Sequence, residues 1–81
     1  MSRTTVLRIG VGKKAAVRPG DLVGAITGEA GIESKYLGAI RVAHDHSLVQ
    51  VPEQLADRII AALKKTTIRG KSVDVRVERD A

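Results

Sequence analysis

The chain has 81 residues, a length that fits one domain with a single modest core and leaves no room for two. It contains no cysteine, which excludes a disulfide framework and thiolate metal sites and suits the reducing cytoplasm. A formal net charge of +5 favours polyanionic partners. No apolar run approaches the length that crosses a bilayer, so we expect no membrane partner.

The first strand is predicted over residues 4–11, where β-branched side chains alternate around Arg8. This alternation places Leu7 and Ile9 toward a core and Arg8 on the opposite face. A loop with two glycines and two lysines follows, in the order Gly10, Gly12, Lys13 and Lys14.

The first helix is predicted over residues 20–30, where apolar side chains recur at helical spacing. Asp21 suits the positive start of the helix dipole, and Gly31 is placed for a left-handed C-terminal cap. Gly24 and Gly28 lower the helix propensity by about 1 kcal/mol each relative to alanine. Their small size suggests a close approach of this helix to the sheet.

Residues 37–43 predict a second strand, with Arg41 outward between two inward apolar side chains. The segment His44-Asp45-His46 predicts a turn, and residues 47–51 a short third strand. On that third strand the side chains expected to share the outer face are His46, Leu48 and Gln50.

The second helix is predicted over residues 53–64, because leucine and isoleucine side chains form one apolar stripe there. Residues 66–70 predict a connection with room for one short strand. Residues 72–78 alternate valines with charged side chains and predict the last strand. Arg76 lies outward on it.

The resulting order, strand-helix-strand-strand-helix-strand, predicts an α+β fold of the ferredoxin-like βαββαβ type. In this fold two helices cover one face of a four-stranded antiparallel sheet and leave the other face open. We expect one domain over residues 4–78, with frayed termini at residues 1–3 and 79–81.

Several stretches carry a more specific signal. They are Ile9-Gly10-Val11-Gly12-Lys13-Lys14, Val17-Arg18-Pro19-Gly20-Asp21-Leu22-Val23-Gly24-Ala25-Ile26, Leu37-Gly38-Ala39-Ile40, Leu48-Val49-Gln50-Val51-Pro52-Glu53 and Ile68-Arg69-Gly70-Lys71. Together they resemble the DbpA-type RNA-binding domain at the C-terminus of bacterial DEAD-box RNA helicases of the DbpA and DeaD kind. The resemblance covers residues 5–78.

This resemblance implies an RRM-like, non-catalytic RNA-binding domain that brings a helicase core in the same parent chain to structured RNA, often ribosomal RNA. It implies no cofactor for the domain itself and a cytoplasmic location. The sequence departs from ordinary RRM domains where they carry aromatic side chains, because Arg8, His46 and Leu48 occupy those positions. Tyr36 is the one aromatic residue of the chain and lies just before a predicted strand, where it could stack on a base or edge the core. Binding is therefore expected to depend more on charge and shape than on base stacking.

The candidate RNA-binding residues are cationic side chains of the outer sheet face and the adjoining loops, together with one imidazole. They are Arg8, Lys13, Lys14, Arg18, Arg41, His46, Arg69, Lys71 and Arg76. Guanidinium groups suit phosphate oxygens and base edges, whereas the loop lysines act as point charges. The plain alternative is an ordinary solvated sheet surface.

Other chemistries find less support. The loop at Gly10 is shorter than a Walker A motif and lacks its Ser or Thr, so its glycines predict a tightly packed backbone instead of ATP binding. His44 and His46 have no third metal ligand nearby in the sequence and no nucleophile beside them.

A different class of function remains open. This is a protein-interaction module, including a homodimer, that uses the open sheet face, and an exposed Leu48 would suit it. An enzyme of the acylphosphatase type shares the topology but would need a phosphate loop with arginine and a nearby asparagine, and neither is found.

Overall fold

The computed structural model describes residues 3–78. In chain order its elements are β1 (Thr4–Ile9), α1 (Pro19–Ala30), β2 (Ile40–Val42), β3 (Ser47–Pro52), α2 (Glu53–Leu63), β4 (Thr67–Ile68), β5 (Lys71–Ser72) and β6 (Val75–Val77), with short 3-10 turns at Lys13–Ala15 and Ser34–Tyr36. Of the termini predicted to fray, residues 1–2 and 79–81 lie outside the described part. The Arg3 carbonyl accepts a hydrogen bond of 2.9 Å from the Glu53 N–H.

Four strands form one antiparallel sheet in the order β2-β3-β1-β6. The helices pack together on one side of it, where α2 contacts β1, β3 and β6 and α1 contacts α2 and β2. This arrangement confirms the predicted ferredoxin-like fold. The opposite face of the sheet carries no helix within the described residues.

The core lies between the sheet and the two helices, because every second side chain of β1 and β3 points toward the helices. On β1 these side chains are Leu7 and Ile9, and on β3 they are Val49 and Val51. The helices contribute the apolar stripes that meet them. Their fully buried members are Leu22, Ile26, Ile59 and Leu63.

The boundaries of α1 follow from its sequence. The Arg18 N–H donates a hydrogen bond of 2.9 Å to the Asp21 carboxylate at the helix start, and Gly31 ends the helix with a φ of 68°. The predicted close approach at Gly24 and Gly28 is wrong. Both glycines lie on the exposed face, where an added Cβ would meet nothing within 4 Å.

The strands near the loops are shorter than predicted. β1 ends at Ile9 and not at residue 11, because the Val11 N–H turns back to the Ile9 carbonyl and the Val11 carbonyl accepts a hydrogen bond from the buried Ser47 hydroxyl. β2 begins at Ile40 and not at residue 37, because Gly38 and Ala39 both form backbone hydrogen bonds with the one residue Gln50 of β3, which interrupts the regular pairing there.

The last predicted strand divides into two elements. Lys71 and Ser72 pair with Thr67 and Ile68 in a separate hairpin, and only Val75–Val77 joins the main sheet beside β1. The buried Ile68 fixes this hairpin to the core. Val77, at the edge of the sheet, is 37% exposed. No helix within residues 3–78 is long and apolar enough to cross a membrane.

Candidate nucleic-acid interface

Three arginines form one row across the open face of the sheet. Strand pairing places Arg41 of β2 opposite Leu48 of β3, Leu48 opposite Arg8 of β1, and Arg8 opposite Arg76 of β6. Because side chains of directly paired residues lie on the same face, the row runs Arg41, Leu48, Arg8, Arg76. The alternation in the sequence predicted the outward direction of these arginines, and the pairing register brings them together.

Acidic side chains neutralise only part of the positive charge of this row. The Arg8 guanidinium lies 3.7 Å from the Glu78 carboxylate, with side chains 31% and 26% exposed, and a partly exposed pair at that distance contributes little. Within residues 3–78, Arg41 and Arg76 form no ion pair. Their charge is therefore available to a ligand.

A shallow hollow lies on the same face between β1, β2 and β3. It is lined by Val6, Ala39, Arg41, Leu48 and Gln50. The Gln50 amide is held in place, because its Oε1 accepts a hydrogen bond from the Ala39 N–H and its Nε2 donates one to the Thr4 hydroxyl. An aliphatic floor beside a guanidinium suits the flat face of a base, although it offers less stacking area than an aromatic ring.

The lysine loop is fixed beside the turn between β2 and β3. The Lys13 N–H donates to the Ala43 carbonyl and the Lys14 N–H to the His44 carbonyl, both at 2.8 Å. Gly12 permits this contact, because an added Cβ would lie 2.8 Å from the backbone N and O of His46 and closer still to the Ala43 carbonyl. The interpretation of this glycine as part of a tightly packed backbone agrees with that geometry.

His46 lies at the end of the open face next to this loop. Its Nδ1 is 2.9 Å from the Asp45 carboxylate, and this hydrogen bond lowers the pKa of the Asp45 carboxyl. His44 is exposed on the same turn. Among residues 3–78 no group of three His, Asp or Glu side chains is arranged to hold a metal ion.

The remaining predicted residues, Arg18, Arg69 and Lys71, do not lie on the sheet face. They lie at the end of the molecule where β1 and α2 finish and α1 and β6 begin, near the lysine loop. Topology brings two further lysines to this end, directly after α2. We define the basic end by Lys13, Lys14, Arg18, Lys64, Lys65, Arg69 and Lys71.

Lys64 and Lys65 were not among the predicted site residues, because lysines that follow a helix are commonly explained by the helix dipole. The signal that identifies them is the fold, which places the end of α2 beside the start of β6. The opposite end of the molecule is richer in acidic side chains. Its carboxylates are Glu29, Glu33, Glu53 and Asp57.

Tyr36 does not belong to either surface. Its side chain is 48% exposed, so it is not at the edge of the core, and the Lys35 ammonium lies 5.4 Å from the ring centroid. It lines a depression near Pro52 and Arg58 at the acidic end. Tyr36 therefore lies away from the open face of the sheet.

The fold and the uncovered sheet face define a small α+β domain of the ferredoxin-like class. Within this class the chain belongs to the DbpA RNA binding domain family, whose model matches residues 6–77. The match covers the whole main sheet except its first two residues. It makes the chain an RNA-binding domain.

The curated relatives are helicases. The chain is 39% identical over 75 residues to "ATP-dependent RNA helicase DeaD" of Mycobacterium tuberculosis. The aligned segment covers 93% of this chain and 13% of that protein. It is 39% identical over 66 residues to "ATP-dependent RNA helicase DbpA" of Escherichia coli, covering 82% of this chain and 14% of that protein. The chain thus spans about an eighth of the length of the relatives that it matches.

Proposed function

We propose that this domain holds structured RNA, ribosomal RNA in particular, beside a helicase core in the same parent chain. The observation that carries the proposal is the row of Arg41, Arg8 and Arg76 across one uncovered sheet face. The domain contributes local concentration and no chemistry of its own, and it acts in the cytoplasm. A tether of this kind raises the effective concentration of the RNA beside the core.

Charge and shape provide the binding energy in this proposal. The arginines of the sheet contact phosphates and base edges, the hollow beside Leu48 accepts a base, and the cations of the basic end other than Lys65 add phosphate contacts. A flat face with a charged end suits a folded RNA better than a flexible strand, because several phosphates must be presented at fixed positions. Binding then weakens steeply as salt rises.

The relatives support the helicase part of the proposal. Each is named an ATP-dependent RNA helicase, and the segment similar to this chain is a small fraction of it. ATP-driven activity then belongs to the rest of such a protein. The identity of the RNA as ribosomal rests on the family resemblance.

The direct test is to replace Arg8, Arg41 and Arg76 together by glutamate. We expect the affinity for a ribosomal stem-loop RNA to fall at least about a hundredfold, since each hydrogen bond to a charged group contributes about 1.5–3 kcal/mol. Fluorescence anisotropy measures the dissociation constant, and circular dichroism checks the fold.

The matched control reverses three exposed cations of the acidic end: Arg3, Lys35 and Arg58. This variant has the same net charge as the sheet variant but keeps the arginine row. We expect it to retain most of its affinity. Equal losses in the two variants would show a general charge effect and would contradict the sheet site.

The rival class, a protein-interaction or dimerisation module, uses the same face. Two copies that met through it would bring their arginine rows together, which disfavours association unless a partner supplies acidic groups. Sedimentation with and without RNA separates the two functions. A dimer that forms without RNA and regardless of salt would favour the rival.

A further inference from the structure

We propose that a cleft at the β6 edge binds one backbone phosphate of the RNA, and that Lys64 is a direct RNA contact within it. The inference rests on the proposed function and adds a path for the RNA strand. The strand leaves the open sheet face over β6 and reaches the helix layer at the end of α2.

The cleft unites cations from two layers of the fold. Its lining residues are Arg8, Gly10, Lys64, Val73, Asp74, Val75 and Arg76. Arg8 and Arg76 reach it from the open face, whereas Lys64 comes from the helix side, one residue after α2 ends. They meet because β6 is an edge strand with no further strand beside it in the described sheet.

An anion relieves an unfavourable contact in this cleft. Arg8 and Arg76 are directly opposite each other on antiparallel strands, and like charges in that position destabilise a sheet. The Glu78 carboxylate reaches Arg8 only at 3.7 Å. A phosphate between the two guanidinium groups and the Lys64 ammonium would accept hydrogen bonds from all three cations.

The helix dipole alone does not explain Lys64. A lysine near a helix C-terminus is favourable wherever its side chain points, and Lys65 has the same advantage. Lys64 lines the cleft, and it also lines the neighbouring depression between α2 and β6 with Ile60 and Val77. Lys65 lines neither of these depressions. Replacing Lys65 is therefore a matched control for replacing Lys64.

Asp74 places a negative charge at the cleft, and its replacement is expected to have the opposite effect on RNA affinity. Its backbone carbonyl accepts a hydrogen bond of 2.8 Å from the Gly10 N–H, which fixes the residue at the cleft. Its exposed carboxylate repels a phosphate bound there. Removing that charge should strengthen binding, a result that partial unfolding cannot produce.

The experiment compares Lys64→Ala, Lys65→Ala and Asp74→Asn in the full chain, with a ribosomal stem-loop RNA that carries a single-stranded extension as the probe. Dissociation constants are measured at several salt concentrations. We expect Lys64→Ala to weaken binding about tenfold and to reduce the salt slope by about one, as the loss of one phosphate contact does. Lys65→Ala should change affinity less than about twofold, and Asp74→Asn should tighten binding by about twofold to fivefold.

Equal effects of Lys64→Ala and Lys65→Ala, or an unchanged salt slope for Lys64→Ala, would overturn the cleft site. So would unchanged or weaker binding by Asp74→Asn. These results are distinct from a failure of the proposed function, in which the Arg8, Arg41 and Arg76 reversal would leave RNA affinity intact. Thermal unfolding should change equally in the two lysine variants.

Discussion

Single glycines in this chain have different roles that the sequence does not distinguish. Gly12 lies against the turn between β2 and β3, where an added Cβ would be 2.8 Å from the His46 backbone. Gly24 lies on the exposed face of α1 with nothing within 4 Å. The first is required for a backbone contact, and the second only lowers helix propensity.

We expect Gly12→Ala to lower the free energy of unfolding by roughly 1–3 kcal/mol, because the Ala43 carbonyl accepts a hydrogen bond from the Lys13 N–H and the His46 carbonyl accepts one from the Ala43 N–H, so neither can move without breaking a bond. Gly24→Ala should raise it by about 0.5–1 kcal/mol. Urea denaturation of both variants measures these changes. A Gly12→Ala variant as stable as the natural chain would show that the loop is not docked as described.

Among the properties of single residues, the direction of side chains on strands was the most predictable from the sequence. A period of two is enough to place Arg8, Arg41 and Arg76 outward, and the structure has them there. The sequence could not give the register that aligns them in one row, because strand pairing depends on residues far apart in the chain.

At the scale of elements, the hairpin of β4 and β5 was largely missed. Ser72 continues into the alternating valines without a break, so the pattern predicted one strand over residues 72–78. The turn at Arg69 and Gly70 instead makes Lys71 and Ser72 the second strand of a separate hairpin. Both residues have positive φ, 53° and 79°, as a two-residue type I′ hairpin turn requires.

This turn holds an arginine in a conformation that asparagine adopts more readily. Arg69→Asn should therefore raise the free energy of unfolding by about 0.5–1 kcal/mol and at the same time weaken RNA binding, if the basic end contacts phosphates. Arg69→Lys is the matched control, since it keeps the charge. Thermal denaturation and anisotropy measure the two effects, and a less stable Arg69→Asn variant would contradict the turn assignment.

At the scale of the whole molecule, charge is segregated. The basic end gathers side chains from the loop after β1, the start of α1, the end of α2 and the β4–β5 hairpin. Gly10 and Lys64 are distant in the chain and line the same cleft only because the fold brings the end of β1 beside the end of α2. Sequence reasoning therefore predicted the outward direction of the sheet arginines, but it could not predict the cleft that Lys64 lines.

The segregation also orients the domain on its ligand. A polyanion is attracted to the basic end and the arginine row and repelled from the end with Glu29, Glu33, Glu53 and Asp57. The helix layer between Glu29 and Asp57 should thus remain free of RNA.

An NMR titration of the chain with a ribosomal stem-loop RNA would map the bound surface residue by residue. We expect the largest amide shifts on the open-face positions Arg8, Arg41, Leu48 and Arg76 and in the lysine loop, with little change around Glu29 and Asp57. Shifts confined to the exposed faces of α1 and α2, with the arginine row unaffected, would contradict the sheet site.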